Sequence, residues 1–247
     1  MTTTRPLTRT RFENLITRDP QHLDWSQLAA DAQAAPGLLR WCLRPEIKAR
    51  LADEFAAAGL PQHAPWWRAT PQLPDAAGNC WVIVASDAPG TLLRPAFPLP
   101  LSWRPGPHHP RVPAALRRLA DVILGILGRE LPDVAAGVWG LQWAAADGLD
   151  HLDLAWLDVE PESGWAALAA GLIVAARGGR PDRRAWVTGQ WDSQTGKWSV
   201  NPATLAVKLQ AAIEFGAMSF ALPADQLDGA RQILGDASPL RLCALQD

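Results

Sequence analysis

The chain has no tyrosine, and its only lysines and cysteines are Lys48, Lys197, Lys208, Cys42, Cys80 and Cys243. Cysteines that are few, odd in number, widely spaced and without CxxC spacing argue against a zinc site and suit a reducing compartment. Charge of one sign is also lacking, since the formal net charge is -2 over 247 residues. Lys+Arg outnumber Asp+Glu by 15 to 11 up to Leu131 and fall short by 8 to 14 after it. So small an asymmetry, without a Lys/Arg run or an RNA-binding aromatic signature, argues against a nucleic-acid partner. The longest apolar run falls far short of a membrane span, so no membrane role is expected. The start, MTTTRPLTRTRF, has no apolar h-region; no secretory signal is visible, and the expected location is cytoplasmic. What is abundant is tryptophan, 13 residues, which reads as the bias of an Ala/Arg-rich chain whose large aromatics go to the core.

Before Leu131 the sequence gives organisation without chemistry. Asp24 caps a helix over 24–34 that Pro36-Gly37 ends, and Pro45 opens a second, EIKARLADEFAAAG, closed by Gly59. Pro61, Pro65, Pro71 and Pro74 make 60–78 a predicted loop around Trp66-Trp67. NCWVIVAS, 79–86, reads as a buried strand. Eight prolines between Pro89 and Pro113 predict an extended crossing segment or linker, in which His108-His109 reads as an exposed pair rather than a metal site. Leu116, Leu119, Ala120, Ile123, Leu124 and Leu127 then mark one face of a helix from Pro113 to Leu131.

After Leu131 two strand-like runs, 137–145 and 149–159, join around Asp147-Gly148 as a predicted hairpin. Asp150, His151, Asp153, Asp158 and Glu160 match no metal-binding loop and read as an acidic, solvated edge. In EPESGWAALAAGLIVAARG, 160–178, Trp165, Leu168, Ala169, Leu172, Ile173 and Ala176 share one helical face. Ser163 precedes this helix. One reading makes it the cap; the other makes it a nucleophile at the positive end of the helix dipole, which then needs a base.

RAWVTGQW, 184–191, is a predicted strand, and a turn at 193–196 returns it as a hairpin through 197–200. Asn201 and Pro202 cap and begin a helix to Gly216 with an apolar stripe of Leu205, Leu209, Ala212 and Ile213. Lys208 lies on that stripe. It either snorkels to water along its stem or is buried, and a buried ammonium has a lowered pKa and can take a proton from a serine.

These residues, from Gly137 to about Asp228, resemble the proteolytic domain of Lon proteases. GVWGLQWAAADG is similar to that domain's opening strand, ESGWAALAAGL to its nucleophile helix, VTGQ to its threonine-glycine strand, and VKLQAAIEFGAMSFALPADQ to its lysine helix with the following strand and proline. The resemblance implies Ser163 as nucleophile, Lys208 as base and Thr188 as polar support beside them. Ser163 is 25 residues before Thr188 and 45 before Lys208, about the family's spacings. Two departures stand out. Trp165 occupies a position where the family has glycine, and Asn201-Pro202-Ala203 replaces a glycine pair. No GxxxxGK[ST] motif is present, so no fused ATPase is expected in this chain.

The expected fold is therefore α+β: a helical, Pro/Trp-rich N-terminal region over 1–131 that recognises a partner, then a Lon-like domain over 132–247. In that domain helices 163–177, 202–215 and 225–234 pack on a mixed sheet, and Leu240 to Leu245 forms the last strand. The expected function is ATP-independent hydrolysis of peptide bonds in a peptide or partner protein, with no cofactor and no metal. A separate partner protein or ATPase, and an oligomer, are compatible with it. The alternative is a catalytically inactive Lon-like domain, a pseudoprotease serving as scaffold or interaction module.

Overall fold

The computed structural model describes residues 23–34, 36–85, 92–144, 160–236 and 238–245, and over these the protein is α+β. Asp24 Oδ1 accepts a hydrogen bond from the Gln27 N–H at 3.1 Å and so caps α1 (Trp25–Ala34), as its position before an Ala-rich run requires. α1 ends at Ala34, as expected from Pro36-Gly37, but that pair also starts a new helix. It opens α2 (Pro36–Cys42), because a proline at the start of a helix gives up an N–H that has no helical partner anyway. α3 (Pro45–Ala57) buries Ile47, Leu51, Ala52 and Phe55 on one face, and Gly59, at φ 79, turns the chain away after it.

Of the loop expected over 60–78, residues 69–78 have neither helix nor strand, but around Trp66-Trp67 the chain forms a helical turn, Pro61–His63, followed by α4 (Ala64–Arg68), each with proline in its first turn. Trp67 is 2% exposed and stacks on Phe55 at 5.7 Å, while the Arg40 guanidinium sits 4.3 Å from the centre of the Trp66 ring. These indoles are packed into the protein rather than displayed in a loop.

β1 (Asn79–Ala85), β2 (Ala96–Pro105) and β3 (Trp139–Trp143) form an antiparallel sheet with β2 in the centre. Within the expected extended crossing segment or linker, then, lies a ten-residue central strand. Its prolines are tolerated for a reason of parity. Trp103 donates its N–H to Gly78 O, so odd-numbered residues of β2 point their N–H groups toward β1. Pro98 and Pro100 are even, and the N–H each lacks would point to the other side, where β3 already ends opposite Leu101.

His108 and His109 follow β2. His108 Nδ1 accepts from the Leu141 N–H at 2.8 Å and its Nε2 lies 2.9 Å from Asp121, while His109 Nδ1 accepts from the Arg111 N–H. The pair fastens the loop after β2 to β3 and to α5 (Ala114–Glu130), whose buried face is Leu116, Ala120, Ile123 and Leu127. After the short α6 (Pro132–Ala135), β3 returns to β2, so the compositional division at Leu131 falls between two strands of one sheet. The hairpin expected around Asp147-Gly148, and Asp150, His151, Asp153 and Asp158 with it, lie outside the described residues.

α7 (Trp165–Ala176) covers the β1–β2 face so closely that two glycines are required. A Cβ on Gly171 would come within 2.5 Å of Cys80 Cβ, and one on Gly164 within 2.6 Å of Val82 Cγ1. Trp103 Nε1 donates to Leu168 O at 2.9 Å and closes the contact. Burial on α7 extends well beyond the predicted stripe to Ala166, Ala167, Gly171 and Ala175, as expected for a helix with neighbours on several sides.

The remaining strands do not join the first sheet. The expected single mixed sheet is replaced by separate small ones: β4 (Ala185–Val187), β7 (Ser219–Pro223) and β8 (Arg241–Leu245) run parallel in the order β4-β7-β8, and β5 (Gln190–Asp192) pairs with β6 (Lys197–Ser199) as a hairpin. The run 184–191 was expected as one strand. It breaks at Thr188-Gly189, where Thr188 still donates to Ala221 O but Gly189 turns to donate to Ser163 O at 2.8 Å. α8 (Pro202–Glu214) and α9 (Leu227–Leu234) complete the fold. Among the described residues no helix is long and apolar enough to cross a membrane.

Candidate active site

Ser163 lies in a tight helical turn, Glu162–Gly164, pressed against Val82 of β1 through Gly164. Its carbonyl oxygen accepts two hydrogen bonds, from the Gly189 N–H at 2.8 Å and from the Thr188 hydroxyl at 3.1 Å, and the Ala166 N–H donates to Gly189 O. Three bonds thus lace the turn to the break between β4 and β5. The residue that caps α7 is Gly164, without a side-chain hydrogen bond. The reading of Ser163 as a helix cap is therefore overturned, because its hydroxyl is engaged elsewhere.

That partner is Lys208. Asn201 Oδ1 accepts from the Ala203 N–H at 3.0 Å, Pro202 starts α8, and two turns later Lys208 emerges on the buried face with Thr204, Leu205, Leu209, Ala211 and Ala212. Lys208 is 3% exposed, and its Nζ lies 2.8 Å from Ser163 Oγ. Snorkelling to water is thus not what this lysine does. Burial strips its ammonium of water and pulls its pKa from the ordinary 10.5 down to about 8. A charged Nζ donates to the serine oxygen; a neutral one offers its lone pair to the Oγ–H.

Thr188, 2% exposed, directs its hydroxyl to the carbonyl of Ser163. It ties down the turn that carries the Ser163 hydroxyl. Trp165, 7% exposed, packs edge-on against Trp198 at 5.4 Å, and Trp198 contacts Trp191 at 5.0 Å across the β5–β6 hairpin. Composition had given these tryptophans no special place. A signal was available in their register, since the predicted turn at 193–196 puts Trp191 opposite Trp198.

A second buried lysine is the instructive comparison. Lys48 is 1% exposed and its pKa is also lowered to about 8, first by burial and then by the neighbouring Arg94 and Arg40 charges. Its Nζ donates to the Ala69 carbonyl at 3.2 Å, an acceptor with no proton to give up. A lowered pKa makes a candidate base only where a nucleophile faces it, and among the two buried lysines that condition holds for Lys208.

The far end of α8 is anchored to the N-terminal half. Arg94, 4% exposed, pairs with Glu214 and lies 5.1 Å above the Phe215 ring, whose other neighbours are Trp41, stacked at 5.6 Å, and Trp186. Among the described residues no group of three His, Cys, Asp or Glu side chains is placed to hold a metal. Cys42 and Cys80 are buried thiols with pKa values pushed up to about 12 by burial, so neither is a ready nucleophile. No protein-family model matches the chain, and no curated protein matches it.

Proposed function

We propose that the protein is an ATP-independent serine peptidase of the Lon-like kind, in which Ser163 is the nucleophile and Lys208 its base. The observation that carries this reading is the 2.8 Å contact between Ser163 Oγ and a lysine nitrogen held among apolar side chains with a pKa of about 8. Neutral Lys208 takes the Oγ proton as Oγ attacks the peptide carbonyl carbon; the C–N bond breaks, and the departing amine leaves with the proton from the Lys208 ammonium. Water then attacks the acyl-enzyme ester, Lys208 takes its proton, and the acid is released as Oγ regains a hydrogen. Ser163 stands just before the N-terminal end of α7, where the helix dipole favours negative charge. Thr188 and Gly189 keep the turn in register through the Ser163 carbonyl.

The order and spacing of the motifs from Gly137 to about Asp228 support the Lon-like fold in this reading, as does the arrival of a serine turn and a lysine helix at the same point. The direct test is hydrolysis of an unstructured protein such as casein, and of short peptides, by wild type and by Ser163→Ala side by side. Release of new amino termini by wild type alone supports the dyad; identical traces remove it.

A specific observation favours a second reading, an inactive Lon-like scaffold. Trp165, where the family pattern has glycine, is a large side chain packed two residues from Ser163 against the β5–β6 hairpin. If that indole and Trp198 close the approach to the hydroxyl, the dyad is a structural contact. In that case the domain's role is to bind a partner.

A further inference from the structure

A cleft of about 680 Å³ runs along α7 from Trp165 to Val174, and neither Ser163 nor Lys208 lines it. Trp165, Trp186, Trp191 and Trp198 give it aromatic walls between small aliphatic side chains, and its size falls within the range of small-molecule sites. Its charge is one-sided. Glu130 and Asp182 contribute carboxylates, and no lysine, arginine or histidine lines it. Asp182 is already paired with Arg184. Glu130 has no ion-pair partner among the described residues, and as the last residue of α5 it adds its charge to the negative end of that helix.

We propose that this cleft is a binding site for an apolar amine. The hydrocarbon body lies against the indoles, and the ammonium is held by Glu130 and by the faces of the aromatic rings. A carboxylate ligand meets like charge and finds no cation. A neutral alcohol gains the apolar contacts but forgoes the ion pair with Glu130, an exposed carboxylate that then stays in water. The site is separate from the Ser163–Lys208 pair and does not depend on its being catalytic.

The test uses the full chain and three probes of equal length, dodecylammonium chloride, dodecanol and sodium dodecanoate, each kept below its aggregation limit and followed by titration calorimetry and tryptophan fluorescence. The expected order is dodecylammonium first, with a saturable one-to-one isotherm about tenfold tighter than dodecanol, and dodecanoate weakest. Glu130→Gln should remove the advantage of the amine over the alcohol and leave the affinity for dodecanol unchanged. Ala170→Trp fills the cleft from an exposed position on α7 that lines it, and Val174→Phe does so from a neighbouring turn. Whichever of the two keeps the wild-type circular dichroism should lose binding of all three probes. Dodecanoate binding as tightly as dodecylammonium, no saturable binding of any probe, or undiminished amine binding in a folded filling variant would overturn the proposal.

Discussion

Arg94, just before β2, reaches Glu214 at the end of the helix that carries Lys208, and only about 4% of Arg94 is exposed. The pair ties α8 to the N-terminal half at the point where Trp41 stacks on Phe215. This gives the N-terminal helices a mechanical connection to the lysine helix.

Glu214→Gln tests that tie. The substitution leaves a buried guanidinium without its counter-charge, while Glu214 itself is a third exposed. A loss of about 2 kcal/mol follows, read as a lower urea midpoint with an unchanged slope. Arg94→Met with Glu214→Gln removes both charges and should recover part of that loss. A single variant as stable as wild type would show the pair to be idle.

Much of this arrangement was legible in the sequence, and what was missed has physical causes. α3, α5 and α8 carry clear apolar periodicity with proline or asparagine at their starts, and each formed within a residue or two of its expected bounds. Lys208 stood out because a lysine on an apolar stripe breaks the pattern, and the structure brings it to Ser163. From sequence β2 reads only as an extended crossing segment or linker, because proline counts against a strand in any local reading. Only the register, which puts the missing N–H groups of Pro98 and Pro100 beyond the end of β3, makes it central. Arg94 and Glu214 are distant in sequence and ordinary in local context, so no periodicity could join them. The extra burial of α7 likewise depends on neighbours on several sides.

If the Ser163–Lys208 pair is the proposed catalytic dyad, the pKa of Lys208 sets the pH response of turnover. The base form of Lys208 is the minor one below about pH 8, so kcat/KM should rise about tenfold per pH unit through neutrality and level off near pH 8. The measurement is initial rates on an unstructured peptide from about pH 6 to about pH 10, with circular dichroism at each point to exclude unfolding. A profile flat from pH 6 upward would remove Lys208 as the titrating base.

The same shift fixes the sign of a stability effect. The folded pKa of about 8 lies below the unfolded value of about 10.4, so between these limits the unfolded chain binds more protons and stability rises with pH. Below about pH 8 the burial cost is felt in full. Lys208→Met keeps the volume and removes the charge, so at neutral pH it should stabilise the fold by up to about 3 kcal/mol, with the difference fading above about pH 10. Thermal or urea midpoints of the two proteins at pH 7 and pH 10 check this, and a Met variant less stable at pH 7 would contradict the burial argument.

Enzyme and scaffold differ most sharply in how the two site variants combine. In an acting dyad, Ser163→Ala removes the nucleophile and Lys208→Ala the base that makes it one. Each alone abolishes turnover, and the double variant is no slower than either, because the pair works as a unit. Structure need not be lost with activity, since the Ser163 hydroxyl does not cap α7 and its backbone carbonyl keeps its bonds from Gly189 and Thr188. Trp165→Gly separates the readings further. It gives the position the residue of the Lon pattern and removes the indole that packs on Trp198, at a stability cost of about 3 kcal/mol for a buried indole. A peptidase whose access is limited by that indole should cleave peptides faster after the change, and the gain should vanish in Trp165→Gly with Ser163→Ala. A scaffold should show no cleavage in wild type or in any variant, while Trp165→Gly, having lost a packed surface beside the β5–β6 hairpin, binds its partner more weakly. Cleavage assays on the wild type and these five variants, run with circular dichroism to confirm that each is folded, therefore assign the Ser163–Lys208 contact to chemistry or to architecture.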